Sequence, residues 1–75
     1  MEFDCIITFD TMSYVLKFEK VLKQNNIKVQ LKPVPREFSS SCGTCGAIYS
    51  EDLEKALSIC KSEKIRYDEI FQLNK

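Results

Sequence analysis

Two cysteines spaced two residues apart, Cys42 and Cys45, lie in the run Pro33-Val34-Pro35-Arg36-Glu37-Phe38-Ser39-Ser40-Ser41-Cys42-Gly43-Thr44-Cys45-Gly46. That spacing lets two sulfurs converge on a soft metal, on a disulfide or on a shared proton. Serine and glycine around them turn readily and offer N–H groups. Whatever chemistry the chain performs is therefore sulfur chemistry.

A thiol reacts as its thiolate, which needs exposure and stabilisation. The loop-forming composition predicts that at least one of Cys42 and Cys45 is reachable by solvent. Arg36 is the nearest basic side chain in sequence, and successive N–H groups from Ser39 to Gly43 can form an anion-holding nest that favours the thiolate. Glu37 would oppose this if it pointed inward. The plain alternative is a turn with two idle cysteines. A metal reading is also open: Cys42 and Cys45 supply two ligands, so a closed zinc or copper(I) site would need a second chain. Cys5 and Cys60 belong to the inward face of a strand and the buried stripe of a helix, where cysteine behaves as a small hydrophobe. Without a second Cys-x-x-Cys, a four-cysteine metal site is only weakly signalled.

Composition narrows the function further. The chain has no histidine, which removes the usual general base near neutral pH, any Ser-His or Cys-His pair and every zinc site that needs imidazole. Eleven basic and eleven acidic residues cancel, so the field that draws a protein to nucleic acid is missing and no nucleic-acid partner is expected. Seventy-five residues make one small domain, residues 1–75, with little room for an enclosed substrate cavity. Without histidine or an enclosed pocket, enzymatic turnover is not expected. Glu2 and Asp4 stand where a secretory signal would carry basic residues, and no segment approaches membrane-spanning length. The expectation is a cytoplasmic chain with reduced thiols and no membrane partner.

The elements that must position the cysteines follow from periodicity. Residues 3–9 read as a central strand, with Phe3, Cys5, Ile7 and Phe9 on one face and Ile6 and Thr8 on the other. Asp10 or Thr11 can cap a helix in which Met12, Val15, Leu16, Phe18, Val21 and Leu22 recur at three and four residue intervals until Asn25-Asn26. Glu19 and Lys23 are placed for a helical ion pair. A second strand is expected over 27–32, ended by Pro33 and Pro35, and a short third strand over 47–49. Ser50 suits the cap of a helix starting at Glu51, with Leu53, Ala56, Leu57 and Cys60 as its buried stripe. A last strand is expected over about 65–73. This order predicts an α+β fold: a ferredoxin-like βαββαβ two-layer sandwich, with a four-stranded antiparallel sheet and both helices on one face. Lys17, Lys20 and Lys23, continued by Lys28 and Lys32, read as a solvated face, with docking of an acidic partner as the alternative. Exposed edges on such a sheet leave a homodimer open.

Ile7-Thr8-Phe9, Phe18-Glu19-Lys20-Val21-Leu22, the segment from Pro33 to Gly43, and Glu51-Asp52-Leu53-Glu54-Lys55-Ala56-Leu57 together resemble the selenium/sulfur carrier protein-like family. The resemblance covers nearly the whole chain, and Pro-x-Pro-Arg-Glu-x-Ser-Ser-Ser-Cys-Gly is its specific part. It implies that Cys42 holds sulfur as a persulfide, or selenium as its counterpart, between donating and accepting enzymes. The atom is then covalent cargo and no cofactor is expected. Arg36 matches the motif and would stabilise the anionic sulfur, Ser41 would support it, and Gly43 would let the backbone approach closely. The chain departs from the family pattern at Thr44-Cys45-Gly46, where relatives more often carry apolar residues. Cys45 would act as a resolving thiol, attacking a persulfide on Cys42 to release sulfide and leave a disulfide. A thiol-disulfide redox module is the second reading, although the helix start that follows the first cysteine in thioredoxin-like sites is missing. A soft-metal module using Cys42 and Cys45 is the third.

Overall fold

Cys5–Thr8 form strand β1, where Ile6, Ile7 and Thr8 supply the β-branched side chains that fit a pleated, packed backbone. The computed structural model describes residues 3–34 and 43–73. After β1 come helix α1 (Met12–Gln24), strand β2 (Gln30–Pro33), strand β3 (Thr44–Ile48), a 3₁₀ turn (Ser50–Asp52), helix α2 (Leu53–Ser62) and strand β4 (Ile70–Gln72). The four strands make one sheet in the order β2-β3-β1-β4, with every neighbouring pair antiparallel. The α+β two-layer arrangement expected from the sequence is the one adopted.

Thr11 rather than Asp10 caps α1, its Oγ1 accepting from the Tyr14 N–H at 3.4 Å. The helix stops at Asn25 and Asn26. Asn26 takes φ 62°, a left-handed conformation that asparagine tolerates, and the Ile27 N–H returns to the Leu22 carbonyl at 2.9 Å. The expected Glu19–Lys23 pair forms at 3.2 Å. Val15, Phe18, Val21 and Leu22 are buried, but Met12 and Leu16 are 45% and 53% exposed. At 3.6 residues per turn these two stand roughly a quarter to a third of a turn away from the Val15, Phe18 and Leu22 arc.

The strand boundaries differ from the expected ones in ways that matter for the site. β2 starts at Gln30 and includes Pro33, which is tolerated because β2 is an edge strand and the missing N–H need not join a ladder. β3 starts three residues early, at Thr44 instead of Ala47, and so takes Cys45 and Gly46 into the sheet. β4 is only three residues long. The chain before it is tied to β1 by hydrogen bonds from Asp68 N–H to the Thr8 carbonyl at 2.7 Å and from Thr8 N–H to the Glu69 carbonyl at 2.9 Å. Ser50 does not cap a helix with its side chain. Its N–H and hydroxyl both donate to the Asp4 carboxylate, at 2.7 and 2.9 Å, so a residue 46 positions away closes this end.

The core fills the space between the sheet and the helices. Cys5, Ile7, Phe9 and Ile48 of the sheet side pack in one cluster with Val15, Phe18 and Leu22 of α1 and Ala56 and Cys60 of α2. The rings of Phe9 and Phe18 lie 4.9 Å apart. Ile6 and Thr8 point to the other face, beside Ala47 and Cys45 in register. Gly46 belongs to the helix face, where a Cβ would stand 2.7 and 2.9 Å from two Phe18 ring carbons.

Because Phe18 is fully buried and cannot swing aside, Gly46→Ala is expected to cost about 1–3 kcal/mol through overpacking. Lys64 sits at φ 59° beyond α2, so Lys64→Gly is expected to raise stability by up to about 1 kcal/mol. Urea denaturation of the two variants checks both signs, and a stable Gly46→Ala chain would contradict the packing.

Candidate functional site

Of the expected site residues, Arg36, Ser41 and Cys42 lie outside the described residues, whereas the ends of their segment are described. β2 and β3 pair up to Pro33 opposite Thr44, and one more hydrogen bond, from the Val34 N–H to the Gly43 carbonyl at 3.1 Å, extends that pairing outward. Both ends of the 35–42 segment are thus held side by side. Gly43, covalently next to Cys42, takes φ +74°. That is the left-handed region in which a side chain is strained. Nothing lies within 4 Å of where its Cβ would stand, so backbone conformation, rather than a close approach, is what requires glycine there.

Cys45 is 0% exposed. It lies opposite Thr8 of β1 and opposite Lys32 of β2. Its Sγ–H points at two backbone carbonyls, with Sγ 3.5 Å from the Lys32 oxygen and 3.9 Å from the Pro33 oxygen. These are long, weak contacts, yet they engage the thiol as a donor and hold it against the edge strand. The solvent-reachable thiol expected from the loop composition is therefore not Cys45. The physical reason is the early start of β3, which places Cys45 two residues before Ala47 on the same buried face.

Cys5 and Cys60 behave as the small hydrophobes expected of them. They are 0% and 1% exposed. Burial pushes the Cys5 thiol from its ordinary 9.0 up to about 11, with the Asp4 charge adding to the effect. Burial alone raises Cys60 from 9.0 to about 11. Both belong to the helix-side core, while Cys45 faces the other way in register with Thr8. The sheet thus separates them from Cys45, and they cannot complete a four-thiolate site with it. Among the described residues no group of three or more His, Cys, Asp or Glu side chains is placed to hold a metal.

The sequence carried a signal that Cys45 belongs to a strand. Thr44 is β-branched, and the alternation of Cys45 and Ala47 against Gly46 and Ile48 extends the third strand backwards. Nothing local signalled the Asp4–Ser50 contact, because its partners are brought together only by the fold. No helix among the described residues is long and apolar enough to cross a membrane.

Two outcomes follow from the thiol environments. In the native chain Cys5, Cys45 and Cys60 are expected to alkylate at least about 100-fold more slowly than in denaturant, as peptide mapping after iodoacetamide would show. Raised thiol pKa values also couple to stability. The folded chain keeps protons on Cys5 and Cys60 that the unfolded chain gives up above 9.0, so stability is full below that pH and falls towards about pH 11. The urea midpoint should drop across this window, and drop less in Cys60→Val.

The family model described as "Putative Se/S carrier protein-like" matches residues 4–72. No match is found among the curated proteins or among the solved structures. The family match spans β1 to β4 and includes the whole Pro33–Gly46 segment. The chain belongs to the selenium/sulfur carrier protein-like family.

Proposed function

We propose that the chain carries sulfur or selenium covalently on Cys42 and passes it between a donating and an accepting enzyme, without itself catalysing turnover. The observation that supports this reading most directly is the family match over residues 4–72. The placement of Gly43 agrees with it. Gly43, the residue next to Cys42, is exposed at the end of the sheet, whereas the three described cysteines are all buried. A carrier needs an accessible thiolate and a surface for its partners rather than a deep pocket.

In the loading step the Cys42 thiolate attacks the terminal sulfur of a persulfide on the donor. The new S–S bond forms on Cys42 as the donor thiolate leaves. In delivery, a nucleophile of the acceptor takes that terminal sulfur and the Cys42 thiolate leaves. Arg36 would neutralise the terminal anion between the two steps.

Cys45 offers a second exit. Its thiolate would attack the inner sulfur of the Cys42 persulfide, expel hydrosulfide and leave a Cys42–Cys45 disulfide, which a dithiol reductant would reset with two electrons. The thiol that does this must first leave the Lys32 and Pro33 carbonyls and its buried position. Release by this route is therefore slow until the Val34–Gly43 end of the sheet opens. The redox-module reading is weakened by the same geometry, since Cys45 lies in a strand and not at a helix N-terminus that would favour its thiolate.

The test is the intact mass of the chain isolated without oxygen or reductant, before and after incubation with a small-molecule persulfide donor. Added sulfur or selenium on the Cys42 peptide, lost on treatment with reductant, is the expected result. Cys45→Ser should load equally and release hydrosulfide more slowly. Equal loading of Cys42→Ser would end the carrier reading.

A further inference from the structure

The outer face of α1 carries apolar side chains that the core does not use. Met12 and Leu16 stand one helical turn apart, 45% and 53% exposed, while the rest of the helix's apolar residues turn inward. Lys20 and then Lys23 continue towards the carboxyl end on the solvent side. Lys17 flanks the stripe, its Nζ donating to the Glu63 carbonyl at 3.0 Å. Beside it lies a shallow groove of about 460 Å³ lined by Leu16, Lys17, Lys20, Val21, Gln24 and Glu63.

Charge on this face leans positive. α1 holds three lysines and a single acid, Glu19, which is already engaged with Lys23. Glu63 also lines the groove, which still leaves lysines in excess there, and further acids lie away from this face, at Glu51, Asp52 and Glu54 around the start of α2 and at Asp68 and Glu69 before β4. The helix dipole accounts for a lysine in the last turn. It does not account for Met12, Leu16 and the lysines at 17 and 20.

We infer that the outer face of α1 docks an acidic protein surface, with Met12 and Leu16 as the apolar anchor and Lys17 and Lys20 as flanking cations. A second copy seated face to face would bring lysines against lysines. A nucleic acid would find cations but no use for the apolar pair. α1 begins four residues beyond Thr8, at the end of the sheet where Gly43 and Thr44 lead into β3. A partner seated on Met12 therefore stands at the same end of the molecule as Gly43. The inference rests on the carrier reading only in that a carrier must be recognised by the proteins it serves.

The experiment is an NMR titration of the ¹⁵N-labelled full chain with a synthetic amphipathic helical peptide that bears leucines one turn apart, flanked by glutamates. The control peptide replaces those glutamates with lysines. The expected result is saturable shifts at the Met12, Leu16 and Lys20 amides with the acidic peptide only. Affinity should fall at least about tenfold in Leu16→Ala and in Lys20→Glu, and fall again at high salt. Both substitutions are on the exposed side, so folding is not at stake. Absence of binding, equal binding of the basic peptide, indifference to both substitutions, or concentration-dependent shifts on α1 without peptide would each overturn the inference. Pairing the titration with the loading assay on the same native chain separates the two readings. A chain that binds but never loads cargo keeps the docking face and loses the carrier, whereas one that loads but does not bind loses only the docking face.

Discussion

Phe18 can be fully buried against the sheet only because position 46 carries no side chain. That contact also holds β3 in register: a slip of one residue would bring Cys45 or Ala47 beneath the ring and reverse the faces of the whole strand. From this register follow the pairing of Cys45 with Thr8 and Lys32, the alignment of Pro33 with Thr44, and the Val34–Gly43 hydrogen bond that brings both ends of the 35–42 segment together. A packing constraint in the core thus decides where the cysteine-bearing segment is anchored.

The same arrangement sorts the thiols by environment. Cys5 and Cys60 are packed into the helix-side core, where loss of solvation makes their ionised forms costly. Cys45 is buried on the opposite face and engaged with the carbonyls of an edge strand. It lies near the end of a short β ladder, which opens more readily than a core does. A thiol kept in this way is protected from casual oxidation yet remains close along the chain to Cys42. In a carrier, that would separate the holding of an atom from its reductive release.

Neutral overall charge conceals an uneven distribution. α1 is the basic side of the molecule, and the region around the 3₁₀ turn and the start of α2 is acidic. Asp4 belongs to that acidic side, but its carboxylate has a structural task, accepting from the Ser50 N–H and hydroxyl and so joining the start of β1 to the entry of α2. Segregated charge of this kind orients a small protein as it approaches a partner, even when its net charge contributes no attraction.

Much of this was legible in local pattern. The alternation in β1, the three and four residue spacing in α1, the Glu19–Lys23 pair and the burial of Cys5 and Cys60 depend on neighbours a turn or a strand step away, and the sequence carries that information directly. The resemblance to the family likewise needed no coordinates, and the family model matches residues 4–72. By itself, then, the sequence determined the order of elements, the inward faces and the residue types available for chemistry. Only the tertiary structure decided that Cys45 is shut away, that Met12 and Leu16 face outward, and that Asp4 rather than Ser50 supplies the cap. Each of these depends on contacts between segments distant in sequence, where strand register and the angle at which a helix meets the sheet override what local composition favours.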